Sequence, residues 1–272
     1  MENQVTTFRL FVRPDAESQR IADKIRVLNA KTSSPLVESE DGDLVIAIGG
    51  DGTFIEAVTS THFSKKKIYT GIHTGTLGFL QDLCENDILS LIRYIHFEKK
   101  LKTRKVYTAF IKVYLKDGNI QKFFALNEIL VAGENYSKIS FAEYVNGEIL
   151  QNVTGSGIII ATSTGDTAFS LNTNGAIDFS NNFQLVCTLS APIRNAAYER
   201  FITNPIICSK IDLILKPGKN ISIIIDGRKK DIDSKLIERV EVSMVDDSNH
   251  INKLDIMSYS KVGVIRNKIL GY

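Results

Sequence analysis

The chain of 272 residues carries 33 Lys and Arg against 31 Asp and Glu, a formal net charge of +2, with 43% hydrophobic and 24% charged residues. That balance excludes a strongly cationic nucleic-acid arm and an acidic disordered tail, and the length suits one large domain or two modest ones. Five prolines exclude a proline-rich linker architecture.

Along the chain, Phe8, Leu10 and Val12 alternate as a short strand that Pro14 ends. Asp15 is the predicted N-cap of a helix whose apolar positions Ile21, Ala22, Ile25 and Leu28 recur at helical spacing. Leu44–Ile48 is a continuous apolar run, as expected of a strand covered on both faces of a parallel sheet, and Ile68–Ile72 is a weaker copy. Ile88, Leu91, Ile92 and Ile95 form one stripe on a further helix. Strand and helix in alternation predict an α/β unit over residues 1–104. After the basic run Lys99–Lys105 the period becomes two, beginning with Ala109, Ile111, Val113 and Leu115. Asp117-Gly118 and Asn146-Gly147 read as hairpin turns, and Pro217–Asn220 separates Ile211–Leu215 from Ile221–Ile225. Alternation continues at Val240–Val245. A β-rich second domain is therefore expected over residues 105–255, with 256–272 as a C-terminal segment packing back on the first domain.

No apolar run approaches the roughly 18 residues of a membrane-spanning helix, and residues 1–14 lack the basic-then-apolar pattern of a signal peptide. Cys84, Cys187 and Cys208 have no metal-ligand spacing and read as reduced thiols, so a cytoplasmic location is expected. Neither a nucleic acid nor a membrane is expected as a partner.

The most informative segment follows the Leu44–Ile48 strand. Gly49, Gly50 and Gly52 let a loop turn tightly and present backbone N–H groups to phosphate, while Asp51 stands at the carboxyl end of a parallel strand. Thr53 or Asp51 is expected to cap a helix carrying Phe54, Ala57 and Val58. No Gly-Lys-Ser/Thr follows, and the loop is not a GxGxxG turn.

Gly49-Gly50-Asp51-Gly52-Thr53 resembles the GGDGT signature of the NAD kinase superfamily. Four further segments resemble that family's motifs in order: Thr74–Leu80, Leu126-Asn127-Glu128, Gly155-Ser156-Gly157 and Thr162–Leu171. The resemblance runs from about residue 44 to 228. It implies an N-terminal α/β, Rossmann-like domain followed by a C-terminal β-sandwich, usually in a homodimer or homotetramer. It also implies phosphoryl transfer from ATP or polyphosphate to the adenosine 2′-hydroxyl of NAD.

By this resemblance Asp51 is the base for that hydroxyl. Gly49, Gly50, Gly52 and Thr53 form the phosphate loop, and Asn127 and Glu128 bind ribose hydroxyls. Thr164, Thr167 and Ala168, at the start of a helix, meet the adenine; Gly52, Phe79, Leu80, Ser156, Phe169 and Asn172 complete the substrate site. Mg²⁺ is expected through the phosphates, with Asp51 the one protein carboxylate offered to it.

Read as residues alone, Leu126–Ile129 would be a strand with two solvent-facing polar side chains, and Thr162–Thr167 a helix-entry loop. His73 reads as neither catalytic nor metal-binding, and Lys99–Lys105 and Arg228–Lys230 as solvated surface. Ser156 stands where the family has Asp, Thr154 where it has Arg, Ser163 for Pro, Asp166 for Ser and Phe169 for Tyr. These departures admit a weakly active NAD-binding paralogue or another hydroxyl acceptor. They also leave the motifs without Lys or Arg, so phosphate would be held by loop N–H groups, a helix N-terminus and Mg²⁺.

Overall fold

A computed structural model describes residues 5–75, 78–98, 100–180, 183–193, 201–244 and 249–271. Thr76, Leu77, Lys99 and Val245, which belong to segments read above, lie outside them. The chain divides into two compact units, residues 1–106 with 250–272, and residues 107–249.

The first unit opens with β1 (Thr7–Val12), α1 (Ala16–Ala30), β2 (Val37–Glu38), β3 (Leu44–Gly49), α2 (Asp51–Ser60), β4 (Ile68–His73), α3 (Ile88–Phe97) and β5 (Thr103–Tyr107). Asp15 caps α1 as predicted, its carboxylate accepting the Ser18 N–H at 3.0 Å. All six residues of β3 are buried because it lies inside a sheet of parallel neighbours, β1 on one side and β4 on the other. The α3 stripe, Ile88, Leu91, Ile92 and Ile95, packs in one core with Ile21 and Ile25 of α1 and Leu44, Ile46 and Ile48 of β3.

The second unit carries β6 (Ala109–Leu115), β7 (Ile120–Ala125), β8 (Glu128–Gly133), β9 (Ile139–Val145), β10 (Glu148–Gly155), β11 (Gly157–Thr162), β12 (Leu185–Ser190), β13 (Ile206–Cys208), β14 (Lys210–Leu215), β15 (Ile221–Ile225), β16 (Arg228–Lys229) and β17 (Ile237–Ser243). They form two six-stranded sheets, in the orders β10-β9-β14-β17-β6-β7 and β13-β12-β11-β8-β15-β16. Alternate residues of both sheets, such as Ile111 and Val113 of one and Ile129 and Val131 of the other, share a single core. This is a β-sandwich. The predicted turns at Asp117-Gly118 and Asn146-Gly147 connect β6 to β7 and β9 to β10.

The second boundary falls at Asn249 rather than near residue 255. The reason is β18 (His250–Leu254), which pairs in parallel with β4 and completes the first sheet, β2-β1-β3-β4-β18-β5. A short helix α4 (Lys261–Ile265), capped by Ser260, then runs into a π-helical turn over Arg266–Leu270. Gly271, at φ 73°, ends it in the left-handed region. Among the described residues no helix is long and apolar enough to cross a membrane.

Candidate functional site

In the first unit, β3 ends at Gly49 with φ +148°, and the next turn starts α2. A Cβ on Gly49 would come within 2.5 Å of the Thr53 Oγ1 and 2.9 Å of the Arg13 Cβ, so only glycine fits there. Neither Asp51 nor Thr53 caps α2, contrary to the sequence expectation. The N-cap is Gly50, without a side-chain hydrogen bond, and Asp51 already stands in the helix's first turn. From there its carboxylate turns to a different segment, accepting the Phe79 N–H at 2.8 Å on Oδ2 and the Leu80 N–H at 2.9 Å on Oδ1. Buried Gln81 closes the contact, its Nε2 donating to the Gly50 carbonyl at 2.6 Å. Asp51 is thus a half-buried carboxylate fixed by two backbone donors, with lone pairs left for a ligand.

Sequence reading placed no cation at this loop. The fold brings two near it. Arg13, just after β1, stands beside Gly49 and is committed to Asp15 and to the Thr74 hydroxyl. Lys268, on the π-helical turn, is half-buried: its Nζ lies 3.3 Å from the Gln81 carbonyl oxygen and 5.8 Å from the Phe79 ring centre. Burial lowers the Lys268 pKa, while the charges of Asp51 and Asp82 pull it back up. Behind them, fully buried Lys253 meets the Asp82 carboxylate at 2.9 Å, a charge contact without a directed hydrogen bond. Burial brings its pKa down to about 8, opposed by Asp82. No sequence signal marks Lys268, because the segment carrying it matches no motif. The His73 Nδ1 lies 3.0 Å from the Gly75 carbonyl oxygen.

In the second unit, Asn127 and Glu128 are not solvent-facing strand residues; they are buried, at 9% and 8% exposure. Thr162, at the end of neighbouring β11, locks this corner. Its N–H donates to the Asn127 carbonyl at 2.8 Å and its hydroxyl to the Leu126 carbonyl at 2.7 Å. The same hydroxyl accepts the N–H groups of Thr164 and Gly165. The helix expected from Thr164 onward is replaced by two 3₁₀ turns, Gly165–Thr167 and Leu171–Thr173. Thr, Ser, Asp and Asn side chains compete there for the backbone groups a helix would use.

Thr164, Thr167 and Ala168 are half-buried, whereas Phe169 and Asn172 are exposed. Asp166, fully buried, accepts the Asp178 N–H at 2.6 Å and so serves the loop's own structure. Ser156 sits before the other end of β11, about 20 Å of extended strand from Thr162.

Asp226 was missed, although Asp226-Gly227 after an apolar strand is itself a hairpin signal. Both residues have positive φ, 48° and 75°, joining β15 to β16. The Asp226 carboxylate accepts the N–H groups of Leu126, Asn127 and Glu128 at 2.9, 2.7 and 3.2 Å. Burial, then the neighbouring Asp226 charge, raises the Glu128 pKa to about 7, against the Phe169 N–H that lowers it. Asn127 Oδ1 and Glu128 Oε2 have no hydrogen-bond partner among the described residues. Two buried acceptors without partners are what a hydroxyl-bearing ligand would satisfy.

Thr154, where the family carries Arg, is buried and hydrogen-bonded to the Ser140 hydroxyl at 2.9 Å. Cys187 and Cys208, distant in sequence, stand on adjacent strands with sulfurs 3.7 Å apart and are free thiols, as is Cys84. Arg228 and Lys229 are exposed, whereas Arg104 of the other basic run is held by Asp82 at 3.3 Å.

The chain matches two family models, an ATP-NAD kinase N-terminal domain over residues 10–98 and an ATP-NAD kinase C-terminal domain over residues 126–254. It is 31% identical over 223 residues to an NAD kinase 1 of Oceanobacillus iheyensis, covering 80% of this chain and 82% of that one. In fold it resembles a yeast NADH kinase complexed with NADH, with a TM-score of 0.81 and 18% identity, over 99% of this chain and 89% of that one. An Archaeoglobus fulgidus NAD kinase in complex with ATP gives a TM-score of 0.71 at 19% identity, over 97% of each chain.

Proposed function

The chain belongs to the NAD kinase family, and from that premise we propose that it transfers the γ-phosphoryl group of ATP to the adenosine 2′-hydroxyl of NAD, forming NADP. The observation that carries this reading is Asp51, a carboxylate at the carboxyl end of a parallel strand with each oxygen held by a backbone N–H. An alcohol is a poor nucleophile, and an oriented carboxylate within reach can take its proton. In the transfer the 2′-oxygen bonds to the γ-phosphorus while the bond from that phosphorus to the β–γ bridging oxygen breaks. The electron pair leaves with ADP, and the proton passes to Asp51.

The other roles follow the motif matches. The loop of Gly49, Gly50, Gly52 and Thr53 would cradle phosphate at the N-terminus of α2, with the Thr53 N–H donated to the Gly50 carbonyl at 3.0 Å to hold the turn. Asn127 and Glu128 would take ribose hydroxyls on their unpartnered oxygens, an ionised Glu128 accepting from a diol. Thr164, Thr167 and Ala168 would line the adenine, with Phe79, Leu80, Phe169 and Asn172 around the substrate and Ser156 on its nicotinamide side.

No group of three His, Cys, Asp or Glu side chains among the described residues is placed to hold a metal. The donor set fits Mg²⁺ bound chiefly by phosphates and water, with Asp51 as the protein's carboxylate. Such an ion would neutralise phosphate charge. Polyphosphate as donor, a homodimer or homotetramer and a cytoplasmic location belong to the same reading.

Incubation of the purified protein with NAD, ATP and Mg²⁺ tests it, and NADP is the expected product. Calorimetric NAD binding without NADP formation would instead support a binding paralogue, the reading favoured by Ser156, Thr154 and Phe169.

A further inference from the structure

The geometry points to Lys268 as a substrate-contacting residue of the Asp51 loop, its ammonium binding oxygens of the phosphoryl group in transfer. This rests on the reading of the chain as an NAD kinase. That reading asks a site without Lys or Arg in its motifs to hold a polyphosphate chain.

Arg13 and Lys268 near the loop, and Lys253 and Arg104 on Asp82, differ in how far they are committed. Arg13 is paired with Asp15 and donates to Thr74. Lys253 is buried against Asp82, and Arg104 bonds to the same carboxylate while its guanidinium lies over the Tyr259 ring, 3.7 Å from the centre. Lys268 has one long hydrogen bond, 3.3 Å to the Gln81 carbonyl, and no carboxylate within 4.0 Å among the described residues. A lysine ammonium has three donors, so this contact leaves capacity for a ligand.

The position is also fixed. The ammonium lies 5.8 Å from the Phe79 ring centre, and the segment Phe79-Leu80-Gln81 is bonded to Asp51 and Gly50. The amine is therefore held beside the proposed base, near enough for the Asp51 charge to act on it. A half-buried ammonium with one long hydrogen bond and one ring contact is incompletely compensated at rest and gains most when an anion arrives. It would compensate charge on the transferred group, as a phosphoryl-transfer site requires.

The test compares wild type, Lys268→Met and Lys268→Arg as full chains. The proposal expects Lys268→Met to lose about 100-fold in kcat/KM for ATP while its NAD Kd by calorimetry changes by no more than about twofold. Lys268→Arg should recover a large share of the loss. Unchanged ATP kinetics in Lys268→Met would overturn the proposal. So would a loss matched by falls in NAD affinity and melting temperature that Lys268→Arg does not restore, because that marks a purely structural role. If the wild type makes no NADP, it is the reading as a kinase that fails. Calorimetric titration with inorganic tripolyphosphate then decides the anion site: weaker binding by about tenfold in Lys268→Met supports it, and equal binding overturns it.

Discussion

Asp226 holds the backbone N–H of Asn127, ninety-nine residues earlier, at 2.7 Å through Oδ1. Together with its bonds to the Leu126 and Glu128 N–H groups, this makes a hairpin turn on β15 the support on which the Asn127-Glu128 corner rests. Asp226→Asn should remove acceptor strength and set an amide donor against backbone donors. The expected cost is about 2 kcal/mol in chemical denaturation, with NAD affinity falling further than stability alone explains. Unaltered NAD binding would show that the corner does not need this support.

Gly78 tests the first unit's site separately from its fold. A Cβ there would lie 2.9 Å from Asp51 Oδ1 and 2.6 Å from Gln81 Oε1, both ends of side chains rather than backbone. Gly78→Ala should melt near the wild-type temperature yet lose at least about tenfold in NADP formation, because Asp51 must swing aside. A variant that keeps full turnover would place the productive Asp51 position elsewhere.

Glu128 gives a pH dependence with a definite sign. Its pKa is raised to about 7 in the folded protein from 4.5, by burial first and then by Asp226. The folded state therefore binds more protons than the unfolded chain between these values, and stability falls as pH rises from 4.5 to 7. Glu128→Gln should equal wild type in stability near pH 4 and exceed it at pH 8, by on the order of 2 kcal/mol. NAD binding should run the opposite way. Wild-type affinity should weaken below pH 7, as the acceptor protonates, and the pH dependence should flatten in Glu128→Gln. Urea denaturation and calorimetry across pH 4–8 check both.

Strand and helix periodicity made the alternation of the first unit and the hairpins of the second readable, since each is set by which face of an element meets a core. Gly49, Gly50 and Asp51 were legible because a glycine-rich turn after a buried strand is a local feature. What failed was non-local or depended on competition for backbone groups. Asp51 looked like a cap, but a carboxylate between two available N–H groups from residues 79 and 80 binds those instead. Thr164–Ala168 suggested a helix, but Thr162 Oγ1 takes the N–H groups of residues 164 and 165 into a tighter turn. Lys268 reaches the Asp51 loop only because β18 carries the chain back beside β4. No spacing in the sequence encodes that return.

In the proposed reaction Asp51 accepts the proton of the NAD 2′-hydroxyl. Initial rates of NADP formation from NAD, ATP and Mg²⁺, measured for wild type and Asp51→Asn alongside calorimetric NAD binding, test it most directly. Asp51→Asn should lose about 100-fold or more in kcat while still binding NAD. Undiminished turnover by Asp51→Asn would contradict it.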